Sequence, residues 1–297
     1  FPTRRSSDLE LPLVRSRSLG RFRLHALEAG IQRLDGGAMF GVVPRPLCEK
    51  RIAPDERNRI PLALRCLLVE TPDALVLIDT GIGNKESERF RDIYGVENAG
   101  RPTRLEDALR QLGFRPGDID IVIDTHLHFD HAGGNTLRDG EGEVRLAFPR
   151  ARYVVQRGEW VFAHLRNERI QASYLPDNFD PVMHAGHFEL VEGEQEVVPG
   201  VRLLPTPGHT PHHQSVLLRS EGETACFLAD LVPTAAHLPL AWIMGYDVEP
   251  LVTLETKRQL LGRAQREGWL LVFEHDPRTP WGRLAPGEGR PLLVPEG

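Results

Sequence analysis

Short apolar runs, rich in Val, Ile and Leu, recur along this chain between clusters of turn residues. They predict strands over 21–27, 64–70, 74–79, 119–124, 152–156, 201–204, 215–218, 225–228 and 270–273, most of them bounded by Gly, Pro, Asp or Thr. Helical spacing falls between some of them. In 103–113, Thr103 is placed as an N-cap. Leu105, Ala108, Leu109 and Leu112 share one face, and Gly113 is a stop. The segment 253–268 repeats the design with Leu254, Leu260, Leu261 and Ala264. Interleaved strands and helices, with strands in the majority, predict sheets covered by helices. Two stretches, 35–59 and 164–186, read as long loops rich in Gly, Pro, Asp and Asn, and long loops in compact domains often carry function.

Composition changes this picture little. The chain has 297 residues, enough to bury a sizeable core, with 40% hydrophobic and 26% charged residues. A net charge of -6 argues against a nucleic-acid partner, which wants a basic face. No run approaches the roughly 18 apolar residues of a membrane span. Cys48, Cys66 and Cys226 form no pair motif, which points to a reducing, cytoplasmic setting. The first nine residues, FPTRRSSDL, look like a translated sequencing adapter or a disordered leader and are set apart from fold reasoning, which leaves a signal peptide open. Residues 10–297 are expected to form a single domain.

The candidate chemistry sits in 125–134, THLHFDHAGG, directly after the strand 119–124. Alternate side chains of an extended chain share a face, so His126 and His128 can reach one metal together. Asp130 and His131 follow the turn and can serve a second metal nearby, while Gly133 and Gly134 allow close packing. A lone histidine is more often a hydrogen-bonded structural residue. Four ligand-type groups within six positions need a shared cation, and imidazole with carboxylate suits zinc and similar divalent ions. Further candidates lie at strand ends or turns: His209 in TPGHTPHH, Asp230 closing CFLAD and His275 closing LVFEH.

The pattern HxHxDH, then His, Asp and His, resembles the metallo-β-lactamase superfamily over essentially all of 21–277. The resemblance implies an α/β fold, an αββα sandwich with the site at one rim of two sheets. It implies His126, His128 and His209 on one metal, Asp130, His131 and His275 on another, and Asp230 bridging both. The stretch LIDTGIG, 77–83, resembles the family's second strand and turn, so Asp79 would orient a ligand. His213 is expected to be a structural hydrogen-bonder. Asp230 stands where dinuclear β-lactamases proper carry Cys. HLHFDHAGGN resembles the N-acyl homoserine lactonases closely, but these place a Tyr three residues after the bridging Asp, where this chain has Pro233. The stretch from Ala229 to Pro250 resembles methyl parathion hydrolase and its arylesterase-like neighbours.

The expected activity is therefore hydrolysis of an ester, lactone or phosphotriester bond in a small apolar substrate. Two divalent ions, zinc ahead of Mn, Fe or Co, would share a hydroxide of pKa about 7. Asp130 and Asp230 are the expected catalytic carboxylates. Met39, Phe40, Trp242, Met244 and Tyr246 are the expected pocket residues. With Pro233 in place of a hydroxyl donor, aryl esters and phosphotriesters are expected to outrun the homoserine lactones, unless Tyr246 or Tyr174 supplies the hydroxyl from another direction. The competing readings are a homoserine lactonase, a one-iron thiol oxygenase of the same fold, and a non-catalytic binding protein. The expected partner is a small molecule, with neither nucleic acid nor membrane, and a homodimer is left open.

Overall fold

In the computed structural model of the chain, residues 12–98, 100–285 and 292–296 are described; the leader 1–9 lies outside them. The first half of the chain builds one sheet. Its strands are β1 (Val14–Leu19), β2 (Phe22–Asp35), β3 (Arg59–Glu70), β4 (Leu75–Ile78), β5 (Ile121–Ile123), β8 (Arg152–Gln156) and β9 (Phe188–Val191), in that spatial order. A small hairpin, β6 (Thr136–Arg138) and β7 (Val144–Leu146), interrupts the series. The second half builds the other sheet from β10 (Gln195–Val198), β11 (Val201–Pro205), β12 (Gln214–Ser220), β13 (Glu223–Phe227), β14 (Leu270–Val272), β15 (Trp281–Leu284) and β16 (Leu293–Pro295), again in chain order.

Alternation along the strands sorts the core into three layers. Val76 and Ile78 of β4 and Ile121 and Ile123 of β5 face inward onto Val216, Leu218, Ala225, Phe227, Leu270 and Val272 of the other sheet. The intervening Leu77 and Val122 face outward onto Leu105, Ala108 and Leu109. Leu217, Cys226 and Leu271 face outward onto Leu260, Leu261 and Ala264. The helices concerned are α4 (Arg104–Gln111) and α7 (Pro250–Glu267). This is the expected αββα sandwich, and Cys226 is plain core. The remaining helices are short: α1 (Gly36–Phe40), α2 (Arg45–Cys48), α3 (Glu88–Tyr94), α5 (Arg157–Ala163) and α6 (Asp180–His184). Among the described residues no helix is long and apolar enough to cross a membrane.

Some elements differ from the sequence reading. The strand expected at 21–27 runs on to Asp35, past a register shift between Glu28 and Ile31 where Gly30 takes φ 149°. Buried Glu28 and Gln32 had broken the apolar pattern there. Glu28 is paired in the interior with Arg65 of β3, itself 1% exposed, which lies 2.5 Å away and also donates to Phe273 O; the pair offsets part of the cost of burying both charges. The loop expected at 35–59 holds α1 and α2, and that at 164–186 holds α6. Thr253 does not cap its helix. The helix begins at Pro250, whose missing N–H costs nothing at a first turn, and stops at Gly268 in the left-handed region.

Candidate metal centre

Strand direction decides which residues meet. β4 and β5 run parallel, so the segments leaving them, with Asp79 and 124–131, emerge at one rim. β13 and β14 also run parallel, and β11 has the same sense through two antiparallel steps. His209, Asp230 and His275 therefore emerge together. The two rims meet, and all seven sequence-predicted side chains converge, each at most 8% exposed. They form two groups, His126–His128–His209–Asp230 and Asp130–His131–His275. Within each, one donor atom per residue lies within 4.8 Å of the others, a geometry able to hold a metal ion. Asp230 straddles both groups. Its Oδ2 is 3.0 Å from His209 Nε2 and 3.5 Å from His131 Nε2, and its Oδ1 is 3.0 Å from His275 Nε2 without hydrogen-bond alignment.

The outer ring nitrogens fix the tautomers. His131 Nδ1 lies 3.0 Å from both Asp79 Oδ2 and Glu274 Oε2. His209 Nδ1 lies 2.9 Å from Asp247 Oδ1, and His275 Nδ1 lies 2.8 Å from Ala63 O. Asp79, Asp247 and the Ala63 carbonyl only accept, so each Nδ1 carries the proton. The Thr125 hydroxyl donates to Asp79 Oδ2 and is left to accept from His126 Nδ1 at 3.1 Å. In the neutral rings, four Nε2 lone pairs consequently point inward. Those of His131 and His275 face each other at 3.2 Å. His209 Nε2 faces His128 Nδ1 at 3.1 Å. Buried His126 Nε2 has no hydrogen-bond partner among the described residues. Two facing lone pairs repel in a dry site unless a proton or a metal ion sits between them, and a crowded set of imidazoles and carboxylates is the donor chemistry that fits divalent metal.

The electrostatics favour positive charge among these carboxylates, whether carried by a proton or by a metal ion. Burial disfavours charge on His209 and His275, yet carboxylates outweigh it. Asp230 and Asp247 lift His209 to about 10, and Asp230 with Glu274 lifts His275 to about 9. His131 is raised against burial by Glu274, Asp230 and Asp130. Asp230, though buried, is held well below the usual carboxylate range by His209, His131 and His275. Burial and neighbouring rings push His126 and His128 down.

Supporting residues lock this arrangement. Asp79 takes φ +54° and accepts from Thr125 N at 2.7 Å as well as from His131. His213, pushed down to about 3 by burial and by His209, accepts from Asp230 N through Nε2 at 3.2 Å. Ala229, immediately before Asp230, is also left-handed at φ +46°, and backbone strain of this kind concentrates at functional sites. Sequence reasoning missed Asp247, Glu274 and Gln32, whose amide donates to Asp130 Oδ2. Asp247 stands in the stretch from Ala229 to Pro250 and Glu274 beside His275, so both were within view. Gln32 offered no signal.

A cleft with about 690 Å³ of empty space, part of it open to solvent, lies over the two groups. Met39, Met244 and Tyr246 line it as expected, with Leu34, Leu62, Phe129 and Ile170 as further apolar wall. Phe40 and Trp242 do not. Phe40 is fully buried, stacked on His237 at 4.6 Å, and Trp242 packs edge-on against it. Tyr174 is unsuited to the cavity because its hydroxyl donates to Glu159 at 2.7 Å. Tyr94 and Tyr246 are the phenols on the wall, and burial, with Tyr94, Asp35 and Asp130 nearby, pushes Tyr246 up to about 12.

A family model described as the Metallo-beta-lactamase superfamily matches residues 61–275, and the chain belongs to that superfamily. An N-acyl homoserine lactonase of Bacillus cereus is 31% identical over 231 residues, 74% of this chain and 83% of the relative. A crystal structure of a probable metal-dependent hydrolase from Staphylococcus aureus superposes with a TM-score of 0.87 at 31% identity, covering 94% of this chain and 99% of that one. An N-acyl homoserine lactone hydrolase solved with N-hexanoyl-L-homoserine at its catalytic metal centre gives a TM-score of 0.65 at 26% identity, over 88% and 94%.

Proposed function

We propose that this chain, a metal-dependent hydrolase by family, cleaves the ester, lactone or phosphotriester bond of a small apolar substrate at a two-metal site. The observation that carries the reading is the set of inward-facing histidine lone pairs, straddled by Asp230, on the floor of an apolar-walled cavity. His126, His128 and His209 would hold one ion, Asp130, His131 and His275 the other, and Asp230 would reach both. When bound, such ions supply water of lowered pKa and polarise the electrophile's oxygen. The protein's own groups do the rest. Asp130, steadied by Gln32, lines the cavity and carries a proton to the leaving oxygen. Tyr246 stays protonated across the physiological range and stands on the cavity wall, where its hydroxyl would offset in part the donor that Pro233 lacks.

The lactone reading draws support from the Bacillus relatives. The aryl ester and phosphotriester reading draws support from Pro233, whose carbonyl accepts from His275 N at 3.0 Å and whose side chain has no donor. The test is elemental analysis of zinc-reconstituted protein, with kcat/KM for homoserine lactones, aryl esters and phosphotriesters on one preparation. Two ions per chain and turnover of at least one class are expected. Fewer than two ions, or no turnover of any class, would overturn the proposal.

A further inference from the structure

Helix α5 follows β8 without a loop and carries Glu159 in its first turn, fully buried. A buried carboxylate is costly unless its oxygens are satisfied. Here three neutral donors satisfy them. Oε1 accepts from Leu127 N at 3.1 Å and from the Tyr174 hydroxyl at 2.7 Å, and Oε2 accepts from the Thr210 hydroxyl at 2.7 Å. Two of the donors adjoin members of one group of ligand-type residues in sequence, and the third packs against a member of the same group. Leu127 separates His126 from His128, Thr210 follows His209, and the Tyr174 ring lies edge-on to His128 at 4.7 Å. None of the three adjoins Asp130, His131 or His275 in the same way. That second group is held by Asp79, Glu274, Gln32 and Ala63 O instead.

We infer that Glu159 is a positioning residue that sets the metal affinity of the His126–His128–His209 position separately from that of the Asp130–His131–His275 position. The inference rests on the two-metal reading above. A carboxylate suits the place because it only accepts, and all three neighbours donate. A glutamine of the same shape must turn its amide toward one of them. The Thr210 hydroxyl can rotate to accept, so Glu159→Gln should fold while a weaker, uncharged hydrogen bond replaces the one that holds the segment after His209.

The experiment titrates zinc against a competing chromophoric chelator, with ion counts per chain and circular dichroism on each form. Wild type should take up two ions. In E159Q one ion should weaken by roughly 10–100-fold, the usual scale for groups that hold ligands, while the other keeps its wild-type midpoint. In a His275→Ala background the ion that remains should weaken on adding E159Q by a similar factor. Tyr174→Phe and Thr210→Val each remove one donor and should weaken the same ion by a smaller factor; they decide the matter if E159Q fails to fold. Unchanged midpoints in the folded variants, or equal weakening of both ions, overturn the role of Glu159 alone. Wild type with fewer than two ions overturns the two-metal reading and this inference with it.

Discussion

Pro233 and Tyr246 set the sharpest question at the scale of single residues. A missing donor to the reacting oxygen typically costs about 10²–10³ in rate, and good leaving groups need such help least. Aryl esters or nitrophenyl phosphotriesters should therefore surpass N-acyl homoserine lactones in kcat/KM. A lactone that wins by roughly tenfold, about 1.4 kcal/mol at the transition state, sinks that ranking. Tyr246→Phe should lower kcat on lactones more than on aryl esters, and equal effects would remove Tyr246 from the reaction. His237 gives a pH dependence. It bonds Thr234 and Met39 O, and burial, with Lys257 adding, pushes it down to about 3. An unfolded histidine titrates near ~6.5, so the unfolded chain takes the proton first as pH falls. The stability of the neutral ring is complete above about 6.5 and is lost toward pH 3, at up to ~1.4 kcal/mol per unit. His237→Gln should be less stable than wild type at neutral pH, yet decline less steeply from pH 6.5 to 5 in denaturant melts. Parallel declines would show that the ring charges without cost. The seven converging residues were legible because HxHxDH packs four of them into six positions and strand ends mark the others. Glu159 and Gln32 were not, because each is a single polar residue whose partners lie far off in sequence.

At the scale of elements, the runs of Val, Ile and Leu found most of the strands that make the sandwich core. The edge strands β1, β9, β10 and β16 went unread because exposed or half-buried positions dilute the apolar pattern, and β15 because Gly282 and Arg283 interrupt it. Helix α4 was legible down to its cap, since Thr103 and Glu106 form a reciprocal capping box. Thr103→Ala should cost ~1 kcal/mol in thermal or denaturant unfolding. The turn after HxHxDH is less forgiving. A Cβ on Gly134 would run into Thr80 O, and one on Gly133 into Ile82 O. Thr80 N in turn holds His131 O at 2.8 Å. Gly134→Ala should therefore displace His131 and lower bound zinc as well as stability. Full zinc content at a lowered melting temperature would confine the damage to packing.

At the scale of the whole molecule, the sheets divide the chain at the turn 192–194, and each candidate metal position is divided with them. His126 and His128 come from the first half, His209 and Asp230 from the second; Asp130 and His131 come from the first, His275 from the second. A bound ion then favours the assembled sandwich by mass action. Zinc should raise the melting temperature in proportion to the logarithm of its concentration, and a chelator should lower it by several degrees. A melting temperature indifferent to both would detach the site from the fold. The turn itself is exposed at Glu192, Gly193 and Glu194, and Gln156 clasps Gly193 through both its amide atoms. A polypeptide severed there would leave two fragments, each with one sheet and half of every coordination sphere. On the two-metal reading zinc should favour their reassembly, so that fragment complementation measured against metal concentration would report the free ion.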